Sequence, residues 1–208
     1  MIDHFIYDFD GTISDSYPIF FRIVKEIIAR HGGKQTCDDD ALYRRLKLWV
    51  ADGYHAVEWE DGFTKKDFFD EFHMFQKQYF DRFLLYRNAE NLLRETVEAG
   101  KKNYLYTHSG EVVHQIMEHM GISKYFTYVI DSSHGFPPKP APDALLHLIE
   151  RYHLDPKTCV MVGDRPVDVQ AGENAGMQSC FFDPDGFYPN TPATYHVDDL
   201  IEILNLTK

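Results

Sequence analysis

The sequence predicts an α/β protein: a doubly wound parallel sheet with a small all-helical segment inserted after the first strand. Three observations carry that expectation. Short apolar or β-branched runs at Ile2–Phe9, Tyr104–Thr107, Tyr128–Ile130, Cys159–Val162 and Ser179–Phe182 read as strands buried on both faces. Amphipathic helical patterns alternate with them, several closing at a glycine. The interval between the first two strands is far longer than the ~30 residues of a βαβ unit.

The first run, Ile2–Phe9, is the opening strand. The long interval that follows, roughly residues 16–87, reads as helices at Pro18–Arg30, Asp40–Val50 and Lys65–Tyr86. It holds both tryptophans and 16 of the 31 aromatic residues. Phe68, Phe72, Phe75, Tyr79 and Phe83 recur at spacings of four, three, four and four, one stripe of a helix and the expected core of the insert. Beyond it, Leu92, Leu93, Thr96 and Val97 share a helix face closed by Gly100. Val112, Val113, Ile116, Met117 and Met120 form another before Gly121. Ala144, Leu145, Leu148, Ile149 and Tyr152 make a third, and Pro166–Ala175 ends at Gly176. The chain therefore divides into a core of residues 1–15 and 88–208 and a helical domain of residues 16–87.

With 208 residues, 44% hydrophobic and 26% charged, composition is ordinary for a globular chain and excludes disorder and collagen-like structure. A net charge of −12 repels phosphate backbones, so no nucleic-acid partner is expected. An anionic small molecule would need a local cation. The three cysteines, Cys37, Cys159 and Cys180, are far apart and form no C-x-x-C, which excludes a disulfide framework or zinc knuckle. Cys159 and Cys180 lie in strand-like runs and are expected to be buried hydrophobes. Three aspartates in the first ten residues do not suit a signal peptide, and no apolar run reaches the ~20 residues of a membrane span. A cytoplasmic location without membrane association is expected.

The first strand runs into Asp8-Phe9-Asp10-Gly11-Thr12. Alternation puts Asp8 and Asp10 on one side at the carboxyl end of a parallel strand, where open α/β sheets bind ligands. Two such carboxylates repel unless a cation lies between them. Asp183-Pro184-Asp185-Gly186 offers a similar pattern but has no later motif to complete it and reads as a turn. The first pair has company in order. Thr107, at the end of the second strand, precedes His108-Ser109-Gly110 and a helix start whose amides can cradle an anion. Lys139 follows between prolines, 32 residues on. After 25 more, Cys159–Val162 opens into Gly163-Asp164-Arg165-Pro166-Val167-Asp168. Each gap is about one βα unit, so the four sites return to one sheet edge. A hydroxyl, an ammonium and four carboxylates there suit Mg²⁺ and a phosphoryl group.

Asp8-Phe9-Asp10-Gly11-Thr12, Thr107, Lys139 and Gly163-Asp164 through Asp168 together resemble the four signature motifs of the haloacid dehalogenase superfamily. The resemblance spans essentially the whole chain, and the helical insert resembles the cap many members carry. Asp15-Ser16 and Lys139-Pro140-x-Pro142 further resemble the phosphoglycolate phosphatase-like branch. The resemblance implies a Mg²⁺-dependent phosphomonoesterase acting on a small phosphorylated metabolite. It makes Asp8 the nucleophile that forms an aspartyl-phosphate, and Asp10 the group that protonates the leaving oxygen and later activates water. Mg²⁺ is expected on Asp8, the Asp10 backbone carbonyl and Asp164, with Asp168 supporting. Lys139 offsets charge on Asp8 and the phosphoryl group, Thr107 holds its oxygens, and Thr12 and His108 complete the substrate-binding set. Arg165 is expected to pair with a nearby carboxylate.

The residue after Thr107 is a departure: phosphatase relatives often have asparagine, and His108 either touches substrate or orients the loop. The other ten histidines show no ligand spacing and are expected mostly on the surface. True dehalogenases lack an aspartate at the position of Asp10, so its presence points to phosphoryl chemistry. A hexose-phosphate mutase of the same superfamily is the alternative. A receiver-like or other non-catalytic phospho-accepting module is the alternative from another class. Arg44, Arg45, Lys47, Trp49, His55 and Trp59 are insert residues that could select the substrate. Substrate identity and oligomeric state are not legible in the sequence.

Overall fold

A computed structural model describes residues 1–60 and 62–207. In chain order the elements are β1 (His4–Tyr7), β2 (Ser14–Asp15), α1 (Tyr17–Arg30), β3 (Lys34–Gln35), α2 (Asp39–Leu48), α3 (Ala51–His55), β4 (Val57–Glu58), α4 (Lys65–Gln78) and β5 (Leu84–Leu85). Then follow α5 (Ala89–Glu98), β6 (Lys102–Tyr106), α6 (Val112–His119), β7 (Phe126–Ile130), α7 (Asp143–Tyr152), β8 (Cys159–Gly163), α8 (Pro166–Asn174), β9 (Gln178–Phe182) and β10 (Tyr195–Val197).

Six strands form one sheet in the order β10-β9-β8-β1-β6-β7, and every adjacent pair is parallel. The predicted class is therefore observed. β1 lies at its centre, with Phe5, Ile6 and Tyr7 fully buried, because both its edges are paired and both its faces covered. On one face Ile6, Tyr104, Tyr106 and Met161 pack with Leu145 and Leu148 of α7 and Ala171 of α8. On the opposite face Asn103, one residue out of phase, donates through Nδ2 to the Leu93 carbonyl of α5. Helices thus cover both faces. The buried thiols of Cys159 and Cys180 are pushed up to about 12 by burial, so they stay protonated and behave as hydrophobes.

Two details differ from expectation. A sixth strand, β10, joins the sheet beside β9; its sequence Tyr195-His196-Val197 is too short and polar for a period to stand out. Lys65–Tyr86 is also not one helix: α4 stops at Gln78, a 3₁₀ turn covers Phe80–Arg82, and Leu84–Leu85 pairs with Ser14–Asp15. The stripe nevertheless persists, since Tyr79 and Phe83 remain buried after the helix ends.

The chain forms two compact units, Met1–Asp15 with Leu84–Lys208, and Ser16–Phe83. Leu84 to Arg87 go with the first because β2 and β5 pair as a ribbon and the Tyr86 N–H bonds the Ile13 carbonyl. In the second unit, α4 starts at a capping box in which Thr64 and Asp67 exchange hydrogen bonds. Phe68 lies at its centre, its ring against Tyr54, Trp59, Phe69 and Phe72. β3 and β4 add a short antiparallel ribbon within an interval whose sequence reads as helical. Among the described residues no helix is long and apolar enough to cross a membrane.

Removing a fully buried ring that touches four aromatic neighbours leaves a cavity they cannot collapse into. Phe68→Ala is expected to destabilise the Ser16–Phe83 unit by about 3–5 kcal/mol. Urea unfolding followed by tryptophan fluorescence measures it, and a loss below about 1 kcal/mol would contradict this account of the core.

Candidate active site

The site begins where β1 ends. The Asp8 N–H continues the ladder to the Val162 carbonyl at 2.8 Å, so the Asp8 carboxylate is carried to the sheet's carboxyl edge. The chain then folds back at once: Thr12, Ile13 and Ser14 all donate to the Phe9 carbonyl. Gly11 makes the turn at φ +89°, a conformation that favours glycine. Asp8 is 1% exposed, while Asp10 remains half-buried.

Lys139 reaches the same point from the segment between β7 and α7. Its ammonium is fully buried and donates to Asp8 Oδ1 at 2.5 Å, Asp168 Oδ1 at 2.7 Å and the Tyr106 carbonyl at 3.0 Å. All three of its hydrogens are thereby matched. Burial disfavours the charged amine, but Asp168 and Asp8 outweigh it and raise its pKa. Three bonds fix the segment itself: the Lys139 N–H to His108 Nε2 at 2.9 Å, the Tyr106 hydroxyl to the Pro137 carbonyl, and Asn174 to the Pro140 carbonyl. His108 must accept through Nε2, which places its proton on Nδ1. Burial and the nearby Lys139 and Arg165 charges push its pKa down to about 3, so the ring is neutral. His108 thereby bonds the backbone of the loop that carries Lys139.

Asp164 and Asp168 come from the junction of β8 and α8. Asp168 is fully buried; Oδ1 takes Lys139, and Oδ2 takes the Arg165 backbone N–H at 3.0 Å with Arg165 Nε at 3.7 Å. The expected Arg165–carboxylate pairing is thus found. Burial pushes the Asp168 carboxyl up, yet Lys139 and Arg165 overcome it and hold it below the usual range. Gly163 is required by this packing, since a Cβ there would lie 2.2 Å from the Asp168 Cβ. Asp164 Oδ1 accepts from Thr12 Oγ1 at 3.2 Å, and Thr12 is fully buried. Thr12 therefore serves a carboxylate in this structure.

Asp8, Asp164 and Asp168 each place a carboxylate oxygen within 4.8 Å of the others. Asp8 Oδ2 is buried and has no hydrogen-bond partner, and burial raises the Asp8 pKa although Lys139 pulls it down. An orphaned carboxylate oxygen among hard oxygen donors is what a divalent cation such as Mg²⁺ requires, so the residues fit one.

Thr107 is buried at the end of β6, where its N–H bonds the Ile130 carbonyl. Its Oγ1 accepts the Ser109 N–H at 3.0 Å, leaving the hydroxyl's own proton to donate. Asp10 lies apart from the carboxylate cluster, with Ser109 Oγ 2.6 Å from its Oδ2. The structure thus gathers Asp8, Lys139, Asp164 and Asp168 directly, attaches Thr12 through Asp164 and His108 through Lys139, and links Thr107 to Asp10 through Ser109. Ser109 and the Tyr106 carbonyl were not singled out from sequence; a serine and a peptide oxygen in a loop carry no periodic or compositional signal. Asp183 instead accepts the N–H groups of Phe187 and Tyr188, a turn as expected.

The parallel sheet thus ends, at its central strand, in a buried aspartate bridged by lysine to a second aspartate. The chain belongs to the haloacid dehalogenase-like hydrolase family, whose model matches residues 5–182, and it is a phosphatase of that family. It is 28% identical over 189 residues to a phosphoglycolate phosphatase of Psychrobacter arcticus, covering 84% of this chain and 80% of that one. It is 32% identical over 188 residues to a phosphoglycolate phosphatase of Vibrio parahaemolyticus, covering 83% and 80%. The structure of a subfamily IA hydrolase from Geobacter sulfurreducens shares the fold with a TM-score of 0.78 at 20% identity, over 99% of this chain and all of that one.

The neutral His108 ties stability to pH. In the unfolded chain its pKa returns to 6.5, so below that value the unfolded state binds a proton the folded state refuses. Its contribution is complete above about pH 6.5 and drains away as pH falls toward 3. His108→Gln is expected to lose that component, at most about 1.4 kcal/mol per pH unit. Urea unfolding at pH 7, 6 and 5 tests this; identical pH slopes for the two proteins would show that the imidazole is not held neutral.

Proposed function

We propose that this phosphatase hydrolyses a small phosphomonoester of the phosphoglycolate type through an aspartyl-phosphate on Asp8. The observation that carries the reading is the separation of the two motif aspartates. Asp8 lies in a buried cationic grip, whereas Asp10 is half-buried and directed to a hydroxyl. That arrangement supports an ionised nucleophile beside a group able to move a proton. An Asp8 oxygen attacks phosphorus as the bond to the substrate oxygen breaks, and Asp10 delivers a proton to that leaving oxygen. Water then attacks the acyl-phosphate, giving its proton back to Asp10, and the phosphorus–Asp8 bond breaks to release phosphate.

Lys139 keeps Asp8 ionised and in place through the bond at 2.5 Å. With its three hydrogens already matched, it would touch a phosphoryl oxygen only by releasing one acceptor. Thr107 offers its hydroxyl proton to those oxygens, and Thr12 orients Asp164. Mg²⁺ would be held by Asp8, the Asp10 carbonyl and Asp164, with Asp168 behind them. It would supply the positive charge that an acidic chain does not bring to a phosphate dianion. Residues 16–83 are proposed to act as the cap, and the phosphoglycolate-type substrate is suggested by the two relatives described above.

Phosphate release across a panel of phosphorylated metabolites with Mg²⁺ tests the substrate class, with phosphoglycolate expected among the best; inactivity toward every phosphomonoester would overturn the proposal. EDTA should abolish turnover and added Mg²⁺ restore it, and undiminished activity in excess chelator would remove the metal assignment.

Asp8→Asn should cost at least about 10⁴-fold with any leaving group. Asp10→Asn should cost about 10²- to 10⁴-fold on an alkyl phosphate, yet largely preserve the first step with nitrophenyl phosphate, whose leaving group needs no proton. Phosphorylated protein should then accumulate, read by mass spectrometry on Asp8. A label elsewhere would refute the assignment of roles.

A further inference from the structure

Ser109 lies outside the motifs to which roles were assigned, yet its hydroxyl meets the Asp10 carboxylate at 2.6 Å. We infer that Ser109 is a positioning residue, holding the Asp10 carboxyl group at the leaving oxygen and acting on the reaction through Asp10. The inference rests on the reading of Asp10 as the proton carrier.

The geometry is specific. Ser109 Oγ lies 2.6 Å from Asp10 Oδ2, 99 residues away in sequence. Asp10 is half-buried beside the Gly11 turn. Ser109 is itself fixed. Its N–H is fixed to Thr107 Oγ1 at 3.0 Å, and its carbonyl accepts the Ser132 N–H at 3.0 Å.

Ser132 is in turn part of a braced turn. It opens the 3₁₀ turn Ser132–His134, which is capped by the buried Asp131. The Asp131 carboxylate accepts from the Ser133 N–H at 2.9 Å and Ser133 Oγ at 2.6 Å. It also meets His114 Nε2 at 2.8 Å and His134 Nδ1 at 3.1 Å. Burial pushes Asp131 up, but these bonds hold it down at about 2, so the anchor stays anionic. A chain of bonds therefore runs from the end of β7 through Ser132 and Ser109 to Asp10.

The choice of a hydroxyl also suits the task. A hydroxyl both donates and accepts, so it can give a hydrogen bond to the carboxylate or receive one from the carboxylic acid. The contact can persist on either side of a proton transfer. An ammonium or guanidinium in the same place could only donate and would oppose the protonated form.

The test measures an alkyl phosphomonoester, phosphoglycolate, against nitrophenyl phosphate with Mg²⁺ present. Ser109→Ala is expected to lower kcat on phosphoglycolate by about 10- to 100-fold with KM within about twofold, and to leave the nitrophenolate burst within a few fold. Ser109→Thr, which keeps the hydroxyl, should recover most of the loss. In an Asp10→Asn background, Ser109→Ala should add less than about twofold. Equal losses on both substrates, or losses that multiply in the double variant, would overturn the inference.

Failure of the underlying reading looks different. In that case Asp10→Asn alone would lose both substrates equally, whereas non-additivity with Ser109 would still report the link. Thermal unfolding checks that each variant is folded. If Ser109→Ala is not, Ser109→Cys, a weak donor of similar size, replaces it, and parity of Cys with Thr on phosphoglycolate would equally overturn the inference.

Discussion

The buried ammonium of Lys139 is the interaction on which the site depends. Two carboxylates, Asp8 and Asp168, meet it with all three groups almost wholly removed from solvent. Each such charge costs several kcal/mol to bury unless it is matched, so losing the ammonium would leave Asp8 unmatched beside a second anion, Asp168, held by Arg165 alone. They would take up protons or move apart, and the ionised, anchored Asp8 carboxylate would be lost either way. The surrounding fold is arranged to prevent this. Tyr106 at the end of β6, His108 just beyond it and Asn174 at the end of α8 each bond the Lys139 segment, so elements on two sides of β1 set one nitrogen.

The residues at strand ends were legible because parallel topology does the sorting. Once Asp8, Thr107, Lys139 and Asp164 are read as following successive βα gaps, the right-handed crossover rule brings them to one edge. The long first gap marked the insert equally well. What escaped was whatever depends on a single tertiary contact. The sequence holds a histidine after Thr107, but that its Nε2 accepts the Lys139 N–H follows only from where two loops meet. Ser109 and the Asp131 pair of histidines are of the same kind. The end of α4 escaped for another reason: aromatic spacing continues through Tyr79 and Phe83 because both are buried, so periodicity reported the core and not the helix.

Charge in the site is only partly balanced, in keeping with the acidic chain. The whole molecule carries −12, yet around Asp8 the placed cations are Lys139 and Arg165, and both are committed to carboxylates. Asp8 Oδ2 is left without a partner. A phosphate dianion entering such a site would add charge of the same sign as the surplus already present. Added positive charge would offset it, and the buried cluster of Asp8, Asp164 and Asp168 fits a divalent cation.

Position, by contrast, is set mostly by neutral groups. Thr12 bonds Asp164, Ser109 bonds Asp10, and the neutral His108 bonds the Lys139 backbone. A charged group in any of these places would orient its partner more strongly but would also shift its charge state. A neutral ring matters most at His108: an imidazolium there would repel Lys139 and Arg165 and could no longer accept at Nε2. The bond to the Lys139 N–H therefore needs an uncharged acceptor at this position, and the neutral imidazole supplies one.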